Sequence, residues 1–287
     1  ENYVEEPDGT FRFSYEDRHL RWLMFDPRHL DLFIALREND SGRLVGFLAA
    51  NPIKLHVSDG LEAKEKDAVL VDFVCVHKER RGQRLCPLLY QVLTWRLSQK
   101  NMSHLSMVKT SGDELNYAVS HVRYWHLLLN TPKCIECTFT FSGTREITAY
   151  RDIDPNIVES FQPLEPRHVT SALQLLTAEA RKKKLALLFR DKEHLAHLLL
   201  PQSDIVATLV KEVEAGSDEV SDLISIFFVP HRISIPGNPL DGHFLRVAYN
   251  FYSAVTTLTA TDMLKVAAVI ARDRYDVDCL NILPVGA

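Results

Sequence analysis

No apolar run in this 287-residue chain reaches the ~20 residues that a membrane-crossing helix needs, and no signal peptide is recognisable at its start. Basic charge is not in excess either. Lysine and arginine number 33 against 38 acidic residues, and the net charge of -5 argues against a dedicated nucleic-acid binder. Cysteine is sparse: Cys75, Cys86, Cys134, Cys137 and Cys279 form an odd set scattered through apolar segments, which points to reduced thiols in a cytoplasmic compartment. Cys134-Ile-Glu-Cys137 has no second pair and no histidine at zinc-finger spacing, so it reads as core or edge packing on an alternating strand, residues 134–141. His194 and His197 lie one helical turn apart without a third ligand, and no metal is expected.

What remains is ordinary globular chemistry, 46% hydrophobic and 25% charged, with length for one large or two medium domains. The organising stretch is Val69-Leu-Val-Asp-Phe-Val-Cys-Val76, then His77-Lys-Glu-Arg-Arg-Gly-Gln-Arg-Leu-Cys-Pro87, then Leu88 to Leu97. Its first part is short and β-branched, as a strand buried on both faces should be. Its last part puts Leu85, Leu88, Leu89, Val92 and Leu93 on one helical stripe. Between them lies a turn with Lys78, Arg80, Arg81, Gly82 and Arg84. A strand entering a helix through such a turn aims backbone N–H groups outward and attracts an anion, most often a phosphate. The alternative is a solvated connection whose arginines cap a surface. The turn lacks the glycine spacing and the Lys-Ser/Thr end of a Walker loop.

Arg80-Arg-Gly-Gln-Arg-Leu85 is similar to the pyrophosphate-cradling turn of the GNAT acyltransferases. A more specific resemblance covers nearly the whole chain. Phe73-Val-Cys-Val-His-Lys78, followed by Arg81, Arg84 and Pro87, resembles the Phe-Leu-Cys-Val-His-Lys signature of the eukaryotic N-myristoyltransferases. Glu1-Asn-Tyr-Val-Glu-Glu6 with Phe11-Arg-Phe-Ser-Tyr15, Leu44-Val-Gly-Phe47, Arg123-Tyr-Trp-His126 with Asn130, Leu223 to Pro230, and Ala248-Tyr-Asn-Phe-Tyr252 resemble family blocks in the same order. The resemblance implies an α/β fold of two GNAT-like halves, each a mixed twisted sheet flanked by helices, with the second half truncated. Residues 151–166, with three prolines and little periodicity, place the division between an acyl-CoA-binding half (1–155) and a peptide-binding half (156–287).

Elsewhere the periodicity predicts a helix from Ser14-x-x-Asp17 with stripe Leu20, Leu23 and Met24, and strands over 44–50 and 53–57. It predicts a charged, mobile segment over 58–66, a strand over 105–108, and a helix over 119–129 carrying Tyr124 and Trp125. The second half reads as a helix with stripe Val169, Ala172, Leu173 and Leu176, strands over 205–213 and 223–229, and a loop over 230–242. A β-rich stretch (244–255), a helix over 260–272 with stripe Met263, Val266, Ala267 and Ile270, and a strand over 275–282 follow. Arg181-Lys-Lys-Lys184 reads as a solvated helix face, with a membrane or phosphate contact as the alternative.

An N-myristoyltransferase moves a tetradecanoyl group from coenzyme A to the amine of an N-terminal glycine, so the resemblance implies myristoyl-CoA as acyl donor and glycine-initiated peptides as acceptors. By motif position, the backbone amides of Phe73 and Val74 form the oxyanion hole, and Thr110 and His126 stand beside the amine. His77, Lys78, Arg81, Gly82, Gln83, Arg84 and Leu85 hold the coenzyme, with Gln83 replacing a family lysine. Glu5, Glu6, Asp8, Phe11, Phe13 and Tyr249 lie on the peptide side, where Pro7 and Gly9 interrupt the family's acidic run. The family's base is its terminal carboxylate, whereas this chain ends at Ala287 without the family's long terminal section. Lys109 replaces a family tyrosine and His231-Arg232 a Ser-Thr pair. Two functions therefore stand open: an active acyltransferase, or a catalytically degenerate relative that binds acyl-CoA or serves as a subunit of a larger assembly.

Overall fold

A computed structural model describes residues 10–24, 27–58, 60, 62–106 and 123–283. In chain order the elements are β1 (Phe11–Phe13), α1 (Asp17–Met24), β2 (Ile34–Arg37), β3 (Leu44–Ser58) and β4 (Ala63–Val76). A 3-10 turn, Lys78–Arg80, leads to α2 (Leu85–Gln99) and β5 (Ser103–Ser106). Then come β6 (Trp125–Leu128), α3 (Thr131–Glu136), α4 (Pro155–Glu159), β7 (Phe161–Pro163), α5 (Val169–Arg181), β8 (Leu185–Leu188) and α6 (Lys192–Leu199). The chain closes with β9 (Val206–Glu212), β10 (Val220–Phe228), β11 (His231–Ile233), β12 (Phe244–Leu245), β13 (Val247–Ala254), α7 (Ala260–Tyr275) and β14 (Cys279–Ile282). The fold is mixed α/β in two compact units. The first takes its residues mainly from Leu20–His121 and Ala180–Arg190, the second from Glu5–His19, Val122–Glu179 and Asp191–Ala287. The sequence-read division at 155 falls inside the second unit.

The first unit is a sheet ordered β2-β3-β4-β5, with β8 also paired to β3. The expected pair of strands over 44–57 is one continuous strand. Pro52 is tolerated because it falls between the β2 ladder, which ends at Leu48, and the β8 ladder, which begins at Lys54, so β3 is locally an edge there. Of the segment expected to be charged and mobile, Ser58 pairs with Ala63, and Lys64, Glu65 and Lys66 are strand residues of a long hairpin. The alternation of that charged strand was masked by its having a charge at every position. On α2 the buried line is Leu89, Leu93 and Leu97, while Leu88 is 41% exposed. The stripe thus runs at i, i+4 and lies further along the helix than its N-terminal leucines indicate. It packs on Leu48, Val69 and Val71 of the sheet.

The second unit carries a sheet ordered β6-β14-β13-β10-β9-β7 and a small one ordered β1-β11-β12. Met263, Val266, Ala267 and Ile270 of α7 are all buried against Ile224, Ile226 and Ala248. Thr259 caps the start of α7 by accepting from the Asp262 amide, and Asp276 ends it in the left-handed region. The helix therefore takes in Tyr275, which the sequence places on a strand.

Three further readings are corrected. Residues 125–128 are a strand, not a helix, because they pair antiparallel with Cys279–Ile282. Tertiary pairing outweighs a weak helical period in a segment rich in bulky residues. Residues 134–136 are helical: Asn130 accepts from the Lys133 amide and Pro132 sits in the first turn, a start signal stronger than the alternation beyond it. The loop after Pro230 begins with β11. The core-packing reading of the Cys-x-x-Cys holds, with Cys134 and Cys137 fully buried beside Cys279. Among the described residues there is no three-ligand metal cluster and no helix long and apolar enough to cross a membrane.

Burial pushes the Cys134 thiol up to about 12 and raises those of Cys137 and Cys279. These thiols are thus neither thiolates at neutral pH nor accessible. Cys86, by contrast, is exposed. A chromogenic disulfide reagent at neutral pH is expected to modify Cys86 first, and Cys134, Cys137 and Cys279 only after denaturation. Fast native labelling that persists in Cys86→Ser with Cys75→Ser contradicts this.

Candidate functional site

The candidate residues from Phe73 to Leu85 sit where β4 gives way to α2. Along β4 the pairing with β3 slips: Asp72 faces Ala49 and Cys75 faces Phe47, so Phe73 and Val74 together oppose Leu48. This is a β-bulge, and Phe73 holds it with φ of 48°, a left-handed conformation costly for an aromatic residue. Strain of this kind, about 1–3 kcal/mol, persists only where the surroundings over-determine it, and it clusters at functional positions. Among the described residues the parallel ladder with β5 covers Ala68–Val71, so the bulge begins two residues past it. The peptide groups of Phe73 and Val74 are re-aimed at this point of the sheet.

The turn beyond is divided in its duties. Arg80 donates to Glu38 at 2.9 and 2.5 Å, and the Ser41 hydroxyl and the Arg80 guanidinium hold the Glu38 carboxyl below its usual range. Arg43 donates to His77 Nε2 at 2.7 Å. His77 and Arg80 thereby fasten the turn to the β2–β3 connection. Arg81, Gly82, Gln83 and Arg84 are exposed. Gly82 has φ of +79°, and Arg84 at the start of α2 has φ of 58° with no side-chain cap. The chain thus enters α2 through two left-handed residues, and the helix's first amides, without a side-chain cap, suit an anion. No acidic residue occupies the first turn of α2, and Arg81 and Arg84 add two charges at the same end. The residues therefore fit a phosphate-bearing ligand. Lys78 is exposed at the head of the same turn, and Leu85 is half-buried as the first helical residue.

In the second unit Phe11, Phe13, Tyr249 and His126 join one aromatic network. Phe13 lies 4.5 Å from the ring of His231, and the Tyr249 hydroxyl is 3.3 Å from His231 Nε2. Phe11 meets Phe139 edge-on at 5.5 Å, and Phe139 meets His126 at 5.6 Å. Tyr249 stacks on Phe227 at 5.1 Å, its cross-strand partner. His126 Nδ1 is 2.6 Å from Asn281 Oδ1. His231 is the hub, and sequence reading missed it, treating His231-Arg232 only as a departure from the family. The available signal was the alternation His231, Ile233 directly after Pro230, which places the imidazole inward on a strand. Glu5, Glu6, Asp8 and Thr110 lie outside the described residues.

The model of the myristoyl-CoA:protein N-myristoyltransferase N-terminal domain matches residues 1–122, and that of the C-terminal domain matches residues 137–286. The chain belongs to the N-myristoyltransferase family. Family relatives include glycylpeptide N-tetradecanoyltransferase 2 of Bos taurus, 31% identical over 95% of this chain and 53% of that protein. The Plasmodium falciparum and Arabidopsis thaliana N-myristoyltransferases are each 30% identical over 99% of this chain, covering 68% and 64% of their own length. The chain thus spans about half to two thirds of the relatives it matches. The Saccharomyces cerevisiae N-myristoyltransferase solved with bound myristoyl-CoA shares the fold, with a TM-score of 0.78 at 22% identity over 98% of this chain and 67% of that one.

Proposed function

We propose that the chain transfers a myristoyl group from myristoyl-CoA to the α-amine of an N-terminal glycine in a protein or peptide, in the cytoplasm. The junction from Phe73 to Leu85 carries this reading: a strained bulge followed by an arginine-bearing, uncapped helix start. In the reaction the glycine nitrogen attacks the thioester carbonyl carbon, the carbon–sulfur bond breaks, and the proton lost by the amine ends on the coenzyme thiol. The amides of Phe73 and Val74 face the developing oxyanion, where one donor is typically worth about 3 kcal/mol. The amides of residues 81–85 and the guanidinium groups of Arg81 and Arg84 bind phosphates, with His77 and Lys78 at the edge of the same turn. Phe11, Phe13 and Tyr249 bind the acceptor peptide, Glu5, Glu6 and Asp8 favour basic residues in it, and Thr110 and His126 orient its amine.

Native mass spectrometry with a series of acyl-CoAs, followed by incubation with an N-terminal glycine peptide, tests the proposal. The expected result is a myristoyl-CoA complex that converts to acylated peptide. Binding without transfer assigns the degenerate, acyl-CoA-binding role instead, and absence of any acyl-CoA complex removes both.

A further inference from the structure

The far end of the β3–β4 hairpin, in the first unit, sorts its side chains by chemistry. Paired residues of neighbouring strands share a face. The row Lys64, Val57, Leu185 and the row Lys66, Leu55, Leu187 therefore lie on one side. The rows between them, Glu65, His56, Ala186 and Asp67, Lys54, Leu188, lie on the other. Both carboxylates of β4's paired rows go to the second side, where Arg181 holds Glu65 at 2.7 Å and His56 is buried. The first side keeps lysines and aliphatic groups. Its lysines are exposed, Val57 is 40% and Leu185 50% exposed, and Leu55 and Leu187 are partly buried beneath them. Lys64 also meets Glu62 at 3.3 Å, a largely exposed pair that contributes little.

Aliphatic groups left at the surface beside long-stemmed cations match an interface that is apolar at shallow depth and anionic above it. An acidic protein partner would satisfy the lysines but gives no reason for Val57 and Leu185 to stand in the same row as Lys64. The basic run 181–184 feeds this end. Contrary to the helix-face reading, α5 stops at Arg181, and exposed Lys184 leads directly into Leu185. We propose that the β8–β3–β4 face bearing Val57, Leu185, Lys64 and Lys66 docks the protein on an anionic phospholipid surface.

Co-sedimentation of the whole chain with vesicles of phosphatidylcholine, alone or mixed with phosphatidylserine, tests the proposal independently of acyl transfer. The chain is expected to pellet with the mixed vesicles and to stay in solution with phosphatidylcholine alone. Lys64→Gln with Lys66→Gln is expected to weaken binding about thirty-fold, from about 1 kcal/mol per surface lysine. Val57→Ser with Leu185→Ser is expected to abolish the binding that survives high salt. All four positions are surface sites, and unchanged melting temperatures verify that the variants fold. The proposal is overturned if the wild-type chain ignores phosphatidylserine, if the lysine variant pellets equally well, or if polyglutamate beads retain the chain and vesicles do not.

Discussion

Replacing Arg81 and Arg84 together by glutamate is expected to lower myristoyl-CoA affinity about a hundredfold or more, while melting temperature stays nearly constant. Both side chains are exposed, and the bond Arg81 Nε donates to the Val76 carbonyl, 3.3 Å, is itself exposed, so the exchange costs little stability. Their charges sit beside a helix start with neither an acidic residue nor a side-chain cap, which leaves its amides oriented toward an anion. A hydrogen bond to a charged group contributes about 1.5–3 kcal/mol, so losing two gives about 3–6 kcal/mol before repulsion is added. Arg80 is deliberately left intact, because its bonds to Glu38 fasten the turn and its loss would confuse binding with folding. Titration calorimetry with myristoyl-CoA, at low and at high salt, is the measurement. Unchanged affinity would remove the phosphate role of this turn; a residual affinity that no longer responds to salt would show that only the acyl chain still binds.

Asp222→Ala is expected to destabilise the second unit by about 3 kcal/mol or more, with no proposed site residue touched. The carboxylate is fully buried on β10 and accepts from the Thr256 amide at 2.9 Å, the Thr257 amide at 3.1 Å, the Ser221 hydroxyl at 2.9 Å and the Thr257 hydroxyl. It thereby gathers the connection from β13 to α7. Burial alone would raise its pKa, but the donors of Thr257, Thr256 and Ser221 outweigh it and hold Asp222 below its ordinary 3.8. A carboxylate depressed in the folded state contributes stability that is fully present above 3.8 and is lost as pH falls through the folded value. Thermal unfolding followed from neutral pH to below 3.8 should show the wild type losing stability across that window. Asp222→Asn should lose correspondingly less there, having begun lower. An Asp222→Ala chain that melts with the wild type at neutral pH would refute the account.

The sequence is most legible where one physical demand dominates. On α7 the requirement to bury one face sets Met263, Val266, Ala267 and Ile270 at helical spacing, and all four are in the core. It fails where two demands compete. Trp125 to Leu128 has a passable helical pattern, and only the distant partner Cys279 to Ile282 makes it a strand. Lys64 to Lys66 carries no apolar alternation at all, since the face it presents is cationic. At the candidate site, the basic turn between strand and helix was readable because charge and glycine mark it. The bulge was not, because Phe73 adopts a left-handed backbone without the glycine or asparagine that normally announces one. The hub role of His231 needed three strands at once: β1 for Phe13, β13 for Tyr249 and β11 for itself.

The pairing of β8 with β3 sets an order on biosynthesis. The first sheet recruits residues 185–188 to the flank of a strand that ends at Ser58, so a nascent chain paused near residue 155 has made most of that sheet but not its closing strand. Until residue 188 has cleared the ribosome, the outer flank of β3 from Lys54 to Val57 stays open to any other extended chain. Pairing of that flank thus waits on residues made later in the chain, and a fragment cut at the proline-rich stretch would lack β8 and carry the flank open.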